Sequence, residues 1–159
     1  MGERVAYDGA HELYGRIDPI KAGTLEYAVR TGTNWAVWTP PVALGFESLT
    51  PPALASYNGV LHAVYTRPSD MAVMWTRLES PVGGGSPARS TPARIGNDAT
   101  LYAPALTAGH GKLFYAVTGL DNGLYRRTYA GVAWSDAGRI SPPARRTARP
   151  WPPTRTGYG

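Results

Sequence analysis

The chain has 159 residues, no cysteine, 17% charged residues and a formal charge of +5. The lack of cysteine excludes disulfides and thiolate metal sites, and no run approaches the roughly 20 apolar residues of a membrane-spanning helix. Nineteen glycines and fifteen prolines, with Tyr and Trp far outnumbering Phe, describe a turn-rich β protein of one domain's size rather than a helical one.

The opening residues, Met1-Gly2-Glu3-Arg4-Val5, lack the apolar core of a signal peptide, so the chain as written is expected to stay in the cytoplasm. A strand-like Val5-Ala6-Tyr7 then runs into Asp8-Gly9, a tight-turn signal, and continues to Leu13-Tyr14. Leu25-Glu26-Tyr27 supplies the next element. Thr33-Asn34-Trp35 announces another, and Val42-Ala43-Leu44 closes the unit. The phrase returns as Pro52-Ala53-Leu54-Ala55, Tyr57-Asn58-Gly59 and Val60-Leu61-His62-Ala63-Val64-Tyr65, followed by a turn at Pro68-Ser69-Asp70 and by Val73-Met74-Trp75. Pro81-Val82-Gly83-Gly84-Gly85-Ser86-Pro87 reads as a flexible loop before the closing Ala93-Arg94-Ile95.

The third copy begins at Pro104-Ala105-Leu106-Thr107, 52 positions after Pro52, and turns at His110-Gly111 into Lys112-Leu113-Phe114-Tyr115-Ala116-Val117. Leu124-Tyr125-Arg126 follows the turn Leu120-Asp121-Asn122-Gly123, and Val132-Ala133-Trp134 and Gly138-Arg139-Ile140 complete it. The three units span about 5–45, 50–96 and 102–141. Each is expected to hold four short antiparallel strands, eleven or twelve in all. A unit of about 50 residues with four hairpin-joined strands describes a β-propeller blade, which must stack on neighbours to bury both faces of its sheet. The expected fold is therefore all-β, a partial β-propeller of three blades.

Residues 142–159 hold five prolines and four of the sixteen basic residues, which leaves the body nearly neutral with twelve basic against eleven acidic groups. An irregular tail is expected there, and nucleic-acid binding is not, because the basic charge is confined to it. Back-translating Ala148–Gly159 with permitted GC-rich codons and shifting the frame can yield Pro-Ala-Val-Ala-Ala-Tyr-Glu-Asp, close to the lead-in at Pro52–Gly59. This tail is thus expected to be an out-of-frame reading of a longer repeat. Three blades also fall short of the about four to eight that close a propeller, so the missing blades or self-association are expected to complete it.

The repeated phrase, over residues 5–141, resembles the tandem blades of sialidase-like and fucose-lectin-like propellers. That resemblance implies a noncatalytic, carbohydrate-binding module or a truncated fragment of one, with glycans as partners and no cofactor; proteins of that kind are often secreted. The alternative is a remnant of a sialidase-like glycoside hydrolase. The Asp-box of that family, Ser-x-Asp-x-Gly-x-x-Trp, is not matched, since Ser135-Asp136-Ala137-Gly138 lacks the spacer and Trp134 precedes it. No catalytic residue is carried over and the chain is not expected to be an enzyme.

Candidate ligand contacts are Tyr27, Trp75 and Tyr125, aromatic residues at equivalent or adjacent positions of successive units, whose ring faces suit the apolar faces of sugars. Arg77 and Arg126, with Arg127 beside them, could donate hydrogen bonds to hydroxyls. The same rings could instead fill the space between blades. His11, His62 and His110 are not expected to hold a metal: His110 falls at a turn, and the other two sit one register apart and so on opposite faces. Asp8, Asp70 and Asp121 are expected to cap turns. Gly109-His110-Gly111-Lys112 lacks the first glycine and the Ser or Thr of a phosphate loop.

Overall fold

A computed structural model of the chain describes residues 3–7, 12–17, 23–29, 39–79 and 88–140. The long Gly-rich loop at 81–87, Thr33-Asn34-Trp35, Asp8, His11 and the whole of 142–159 lie outside them. All regular structure among the described residues is antiparallel β, with no helix. Strands β1 (Glu3–Tyr7), β2 (Glu12–Ile17), β3 (Thr24–Val29) and β4 (Val42–Glu47) form the first sheet, in that order. The second runs β5 (Ala53–Tyr57), β6 (Val60–Thr66), β7 (Ala72–Glu79), with β8 (Ala88–Arg89) and β9 (Ala93–Ala99) sharing the free edge of β7. The third runs β10 (Ala105–Gly109), β11 (Lys112–Thr118), β12 (Leu124–Tyr129), β13 (Gly138–Arg139). No sheet closes on itself.

In the second and third sheets the first two strands are joined by two-residue turns. Asn58 and Gly59 both take left-handed backbone, φ 52° and 73°, as do His110 and Gly111 at 48° and 70°, the geometry of a two-residue type I′ turn. The ladders close on either side at Tyr57↔Val60 and Gly109↔Lys112. Before the third strand of each sheet stands another left-handed residue, Gly23 at 70°, Met71 at 59° and Asn122 at 60°. Asp70 and Asp121 cap these second turns, each accepting the amide two residues on, from Ala72 at 3.2 Å and Gly123 at 2.9 Å.

The outer strands differ from expectation in two respects. The second sheet's edge is interrupted at residues 90–92, so the described residues hold thirteen strands where the sequence predicts eleven or twelve. In the third sheet, Val132-Ala133-Trp134 forms no strand: Val132 is fully solvated and Trp134 makes one isolated bridge to Tyr129. The closing elements do recur in register, Val42 opposite Tyr27, Ala93 opposite Trp75 and Gly138 opposite Arg126. In the first two sheets the pairing then slips, with Gly45 (φ 76°) and Gly96 (φ 52°) forming the bulge.

The three sheets stack face against face. β6 is buried along almost its whole length, because alternate side chains serve two interfaces. Leu61 and Tyr65, with Ala72, Met74 and Leu78, pack on Leu25, Tyr27, Leu44 and Phe46 of the first sheet. Val64, Val73 and Trp75 pack on Leu106, Tyr115, Val117, Tyr125 and Trp134 of the third. Burying each aliphatic or aromatic side chain of this kind contributes about 1.5–3 kcal/mol. The first strands lie together, β5 next to both β1 and β10. β11, with one face uncovered, shows the alternation that β6 lacks.

Two buried hydroxyls tie each sheet to the next. Ser48 Oγ donates to Thr50 O at 2.7 Å and accepts from Thr66 N at 3.2 Å. Thr100 Oγ1, 52 residues on, lies 2.7 Å from Thr118 O and accepts from Tyr102 N at 2.9 Å.

Two glycine substitutions separate backbone cost from steric cost. A Cβ on Gly111 would meet nothing within 4 Å, so Gly111→Ala is expected to cost only the left-handed penalty, about 1–2 kcal/mol. A Cβ on Gly96 would stand 2.5 Å from the Arg127 guanidinium. Gly96→Ala should therefore lower stability further, and urea unfolding of the two variants side by side tests the order.

Candidate functional site

The ladders decide which candidate positions are equivalent. Tyr27 pairs with Gly15, Trp75 with Val64 and Arg126 with Ala116, and these three take the same place in successive sheets. Tyr125 pairs with Val117, one step along, and so faces the other way. The turn between Thr118 and Leu124 is one residue shorter than that between Thr66 and Val73, and a single-residue change in register exchanges the faces of a strand.

Tyr27 is buried in the core between the first and second sheets. Trp75 is half-buried between the second and third, where its ring meets Tyr129 at 5.0 Å and Trp134 at 5.8 Å. Its Nε1 donates to His62 Nδ1 at 3.0 Å, and the two rings stack at 5.7 Å. Arg77 lies over the Trp75 ring, 5.7 Å from its centre, and its Nε is buried without a hydrogen-bond partner. Arg126 is exposed beside Gly138, on the uncovered face of the third sheet. The structure does not bring these residues to one site.

It brings Tyr125 to a cleft instead. Between the end of β9 and the β11–β12 turn lies a space of about 290 Å³ lined by Asn97, Asp98, Ala99, Val117, Gly119, Leu120, Asp121, Tyr125 and Ala137. A second cleft, of about 690 Å³, lies between the end of β4 and the β6–β7 turn, lined by Gly45, Phe46, Glu47, Tyr65, Arg67, Pro68 and Ser69. Each of these seven residues has its counterpart 52 positions on in the first cleft: 45–47 become 97–99, and 65 and 67–69 become 117 and 119–121.

In the Tyr125 cleft the polar groups form one network. Tyr125 donates its hydroxyl to Asp121 Oδ2 at 2.6 Å, and the Gly123 amide donates to Oδ1. These bonds, the tyrosine's first, hold the Asp121 carboxyl below its usual range, and in return Asp121 raises the Tyr125 hydroxyl. Arg139 lies 5.9 Å from the centre of the Tyr125 ring and 3.9 Å from Asp121. Asp98 is committed elsewhere, gripped by Arg127 through two bonds of 2.8 and 2.7 Å that join the second sheet to the third. Behind it lies the buried Tyr115 hydroxyl, whose pKa is raised by burial first and then by the Asp98 charge.

The Phe46 cleft has an aromatic wall: Phe46 stacks on Tyr65 at 5.8 Å with planes 9° apart, and Arg89 sits 5.5 Å from the centre of the Phe46 ring. Arg67 binds Asp70 through two bonds of 2.8 and 2.6 Å, and that hydrogen bonding pulls the Asp70 carboxyl down to about 2. Among the described residues no group of three His, Asp or Glu residues gathers to hold a metal. The sequence points to neither cleft, and gives Phe46, Glu47, Asn97 and Arg139 no role as ligand contacts. The signal was the 52-residue offset, applied to the turns as well as to the strands.

A scan against protein-family models finds no match for this chain, and a comparison with curated proteins finds none either.

His62 carries the pH dependence of the interface between the second and third sheets. Burial, then the nearby Arg77 charge, lowers its pKa from 6.5 to about 4, so the fold holds it neutral while the unfolded chain takes up a proton below pH 6.5. Stability should be full above that pH and fall by up to about 3 kcal/mol as pH drops towards 4. His62→Gln keeps an acceptor for Trp75 and removes the titration. Urea unfolding of both proteins at either end of this window should show a smaller loss in the variant.

Proposed function

We propose that the three stacked sheets are blades of a partial propeller and that the chain is a noncatalytic carbohydrate-binding module, with one sugar site in the cleft at each junction between sheets. The observation that carries this reading is the recurrence of the cleft: seven lining positions repeat at an offset of 52, and both clefts combine an aromatic ring with charged hydrogen-bonding groups. A sugar offers an apolar ring face and a fringe of hydroxyls, and such a ligand needs that combination. In the Tyr125 cleft, Asp121 already accepts two bonds and has lone pairs left for hydroxyl donors. Arg139 stands beside it as a donor.

Weak binding of a single sugar is expected at each cleft, with a dissociation constant on the order of 1 mM, about 4 kcal/mol, and two clefts on one body supply avidity for a branched or repeated glycan. Further blades, from a second copy or a longer chain, would complete the ring. The glycoside-hydrolase alternative needs a carboxyl whose pKa is raised enough to donate a proton near neutral pH. Asp121 is moved in the opposite direction and Asp98 is tied to Arg127, which favours binding over catalysis.

Titration calorimetry with neutral and acidic mono- and disaccharides tests the proposal. Asp121→Asn and Tyr125→Ala should each weaken binding at their cleft by about tenfold, the worth of one charge-assisted hydrogen bond, with thermal unfolding still cooperative. Arg126→Ala, on the uncovered face away from both clefts, should leave affinity unchanged. Absence of binding to any saccharide at concentrations well above the expected constant would sink the reading.

A further inference from the structure

The sequence contains two Asn-Gly pairs, Asn58-Gly59 and Asn122-Gly123, and the fold surrounds them differently. Both asparagines are exposed and left-handed, at φ 52° and 60°. Gly59 is exposed too, with nothing within 4 Å of where a Cβ would stand. Its hairpin closes through Tyr57 and Val60, which leaves the Gly59 amide outside the ladder. Gly123 is buried. Its N–H donates to Asp121 Oδ1 at 2.9 Å, and its carbonyl accepts from Gly119 N at 2.8 Å.

We propose that Asn58 is a site of spontaneous deamidation and isoaspartate formation, and that the Asp121 carboxylate protects Asn122 from the same reaction. The following residue's backbone nitrogen loses its proton and attacks the asparagine side-chain carbonyl carbon. A bond forms between them, the bond to the side-chain nitrogen breaks, and ammonia leaves. The cyclic imide that remains takes up one water at either carbonyl and opens to aspartate or isoaspartate. No oxidant or cofactor takes part. Glycine in the second position favours the attack because it has no Cβ to obstruct the approach.

At Asn58 the nucleophile belongs to an exposed glycine, and among the described residues none accepts from its N–H. At Asn122 the nucleophile is already donating to a carboxylate, which stabilises the N–H and repels the anion that must form from it. Gly123 is also too crowded to swing towards the side chain, since even a Cβ there would lie 2.9 Å from the Tyr125 ring.

The consequence reaches beyond the turn. Isoaspartate routes the main chain through the former side-chain methylene, so the two-residue turn gains a carbon and a negative charge. Tyr57, the residue before it, donates its hydroxyl to Gly111 O at 3.0 Å and meets His62 and Tyr129 edge-on. Modification of Asn58 therefore loosens a strut between the hairpin tips of the second and third sheets.

The test is peptide mapping by mass spectrometry, with isoaspartyl methylation as a second readout, on folded protein held in mildly alkaline buffer. Asn58 should convert at least about tenfold faster than Asn122, the factor set by one hydrogen bond to a charged acceptor. Asp121→Ala should raise conversion of Asn122 relative to Asn58 in the same molecule. Asp121→Asn, which keeps an acceptor oxygen without its charge, should fall between. Equal rates at the two sites in the native chain would overturn the proposal. So would an Asn58 that stays intact in the folded protein while the urea-unfolded chain is modified there, or an Asn122 rate indifferent to both Asp121 variants.

Discussion

The second sheet is apolar on both faces, and the rest of the architecture depends on that. Along β6 every side chain from Leu61 to Thr66 is buried, half of them against the first sheet and half against the third. A sheet of this kind has no stable solvent-facing side. Its neighbours must lie face to face with it, and the connections must carry the chain from the outer edge of one sheet to the first strand of the next. Ser48 and Thr100 sit at those crossings, and their buried hydroxyls satisfy both their own crossing segment and the end of the adjoining strand. The junction is thus polar where it turns and apolar where it packs.

Repeating the junction repeats the cleft. Stacked sheets meet closely along their middles, but at the crossing end the outer strand bulges at Gly45 or Gly96 while the next sheet's second turn projects beyond it. Space is left between them. A guanidinium reaches over each bulge by a different route, Arg89 from β8 over Phe46 in one case and Arg127 from β12 onto Asp98 in the other. In the second case the partly buried ion pair uses both charges, and removing either partner would strand the other at a cost of about 3–5 kcal/mol.

Much of this was legible in the sequence. Asn58-Gly59 and His110-Gly111 specify left-handed turns by residue type, and the strands on either side follow in register. The triplets Leu25-Glu26-Tyr27, Val73-Met74-Trp75 and Leu124-Tyr125-Arg126 align in the ladders as they do in the sequence. Tyr125 stands one position before the place that Tyr27 and Trp75 share, which Arg126 takes, and the face each ring occupies follows from the turn length, which the strand triplets alone do not display. The clefts were hidden for a related reason: they are built from residues far apart in the chain, Asp98 with Tyr125 or Phe46 with Tyr65, and a strand phrase gives no sign of what gathers at its end.

The aromatic residues divide by this same rule of direction. Those that project between sheets, Tyr27, Trp75, Tyr115, Tyr129 and Trp134, are consumed in packing, and Trp75 spends its indole N–H on His62 within the interface. A ring so placed cannot also present its face to a ligand without opening the interface it fills. Phe46 and Tyr125 escape that conflict because they stand where the sheets diverge, half-buried against the core and neighboured by the guanidinium groups of Arg89 and Arg139. Burial on one side fixes the ring, so recognition of a ligand on the other costs little side-chain entropy. In a stacked-sheet body, preorganised contact surface is thus confined to the ends of the interfaces, and the residues able to recognise a ligand are found at turns and bulges rather than along the strands that define the repeat.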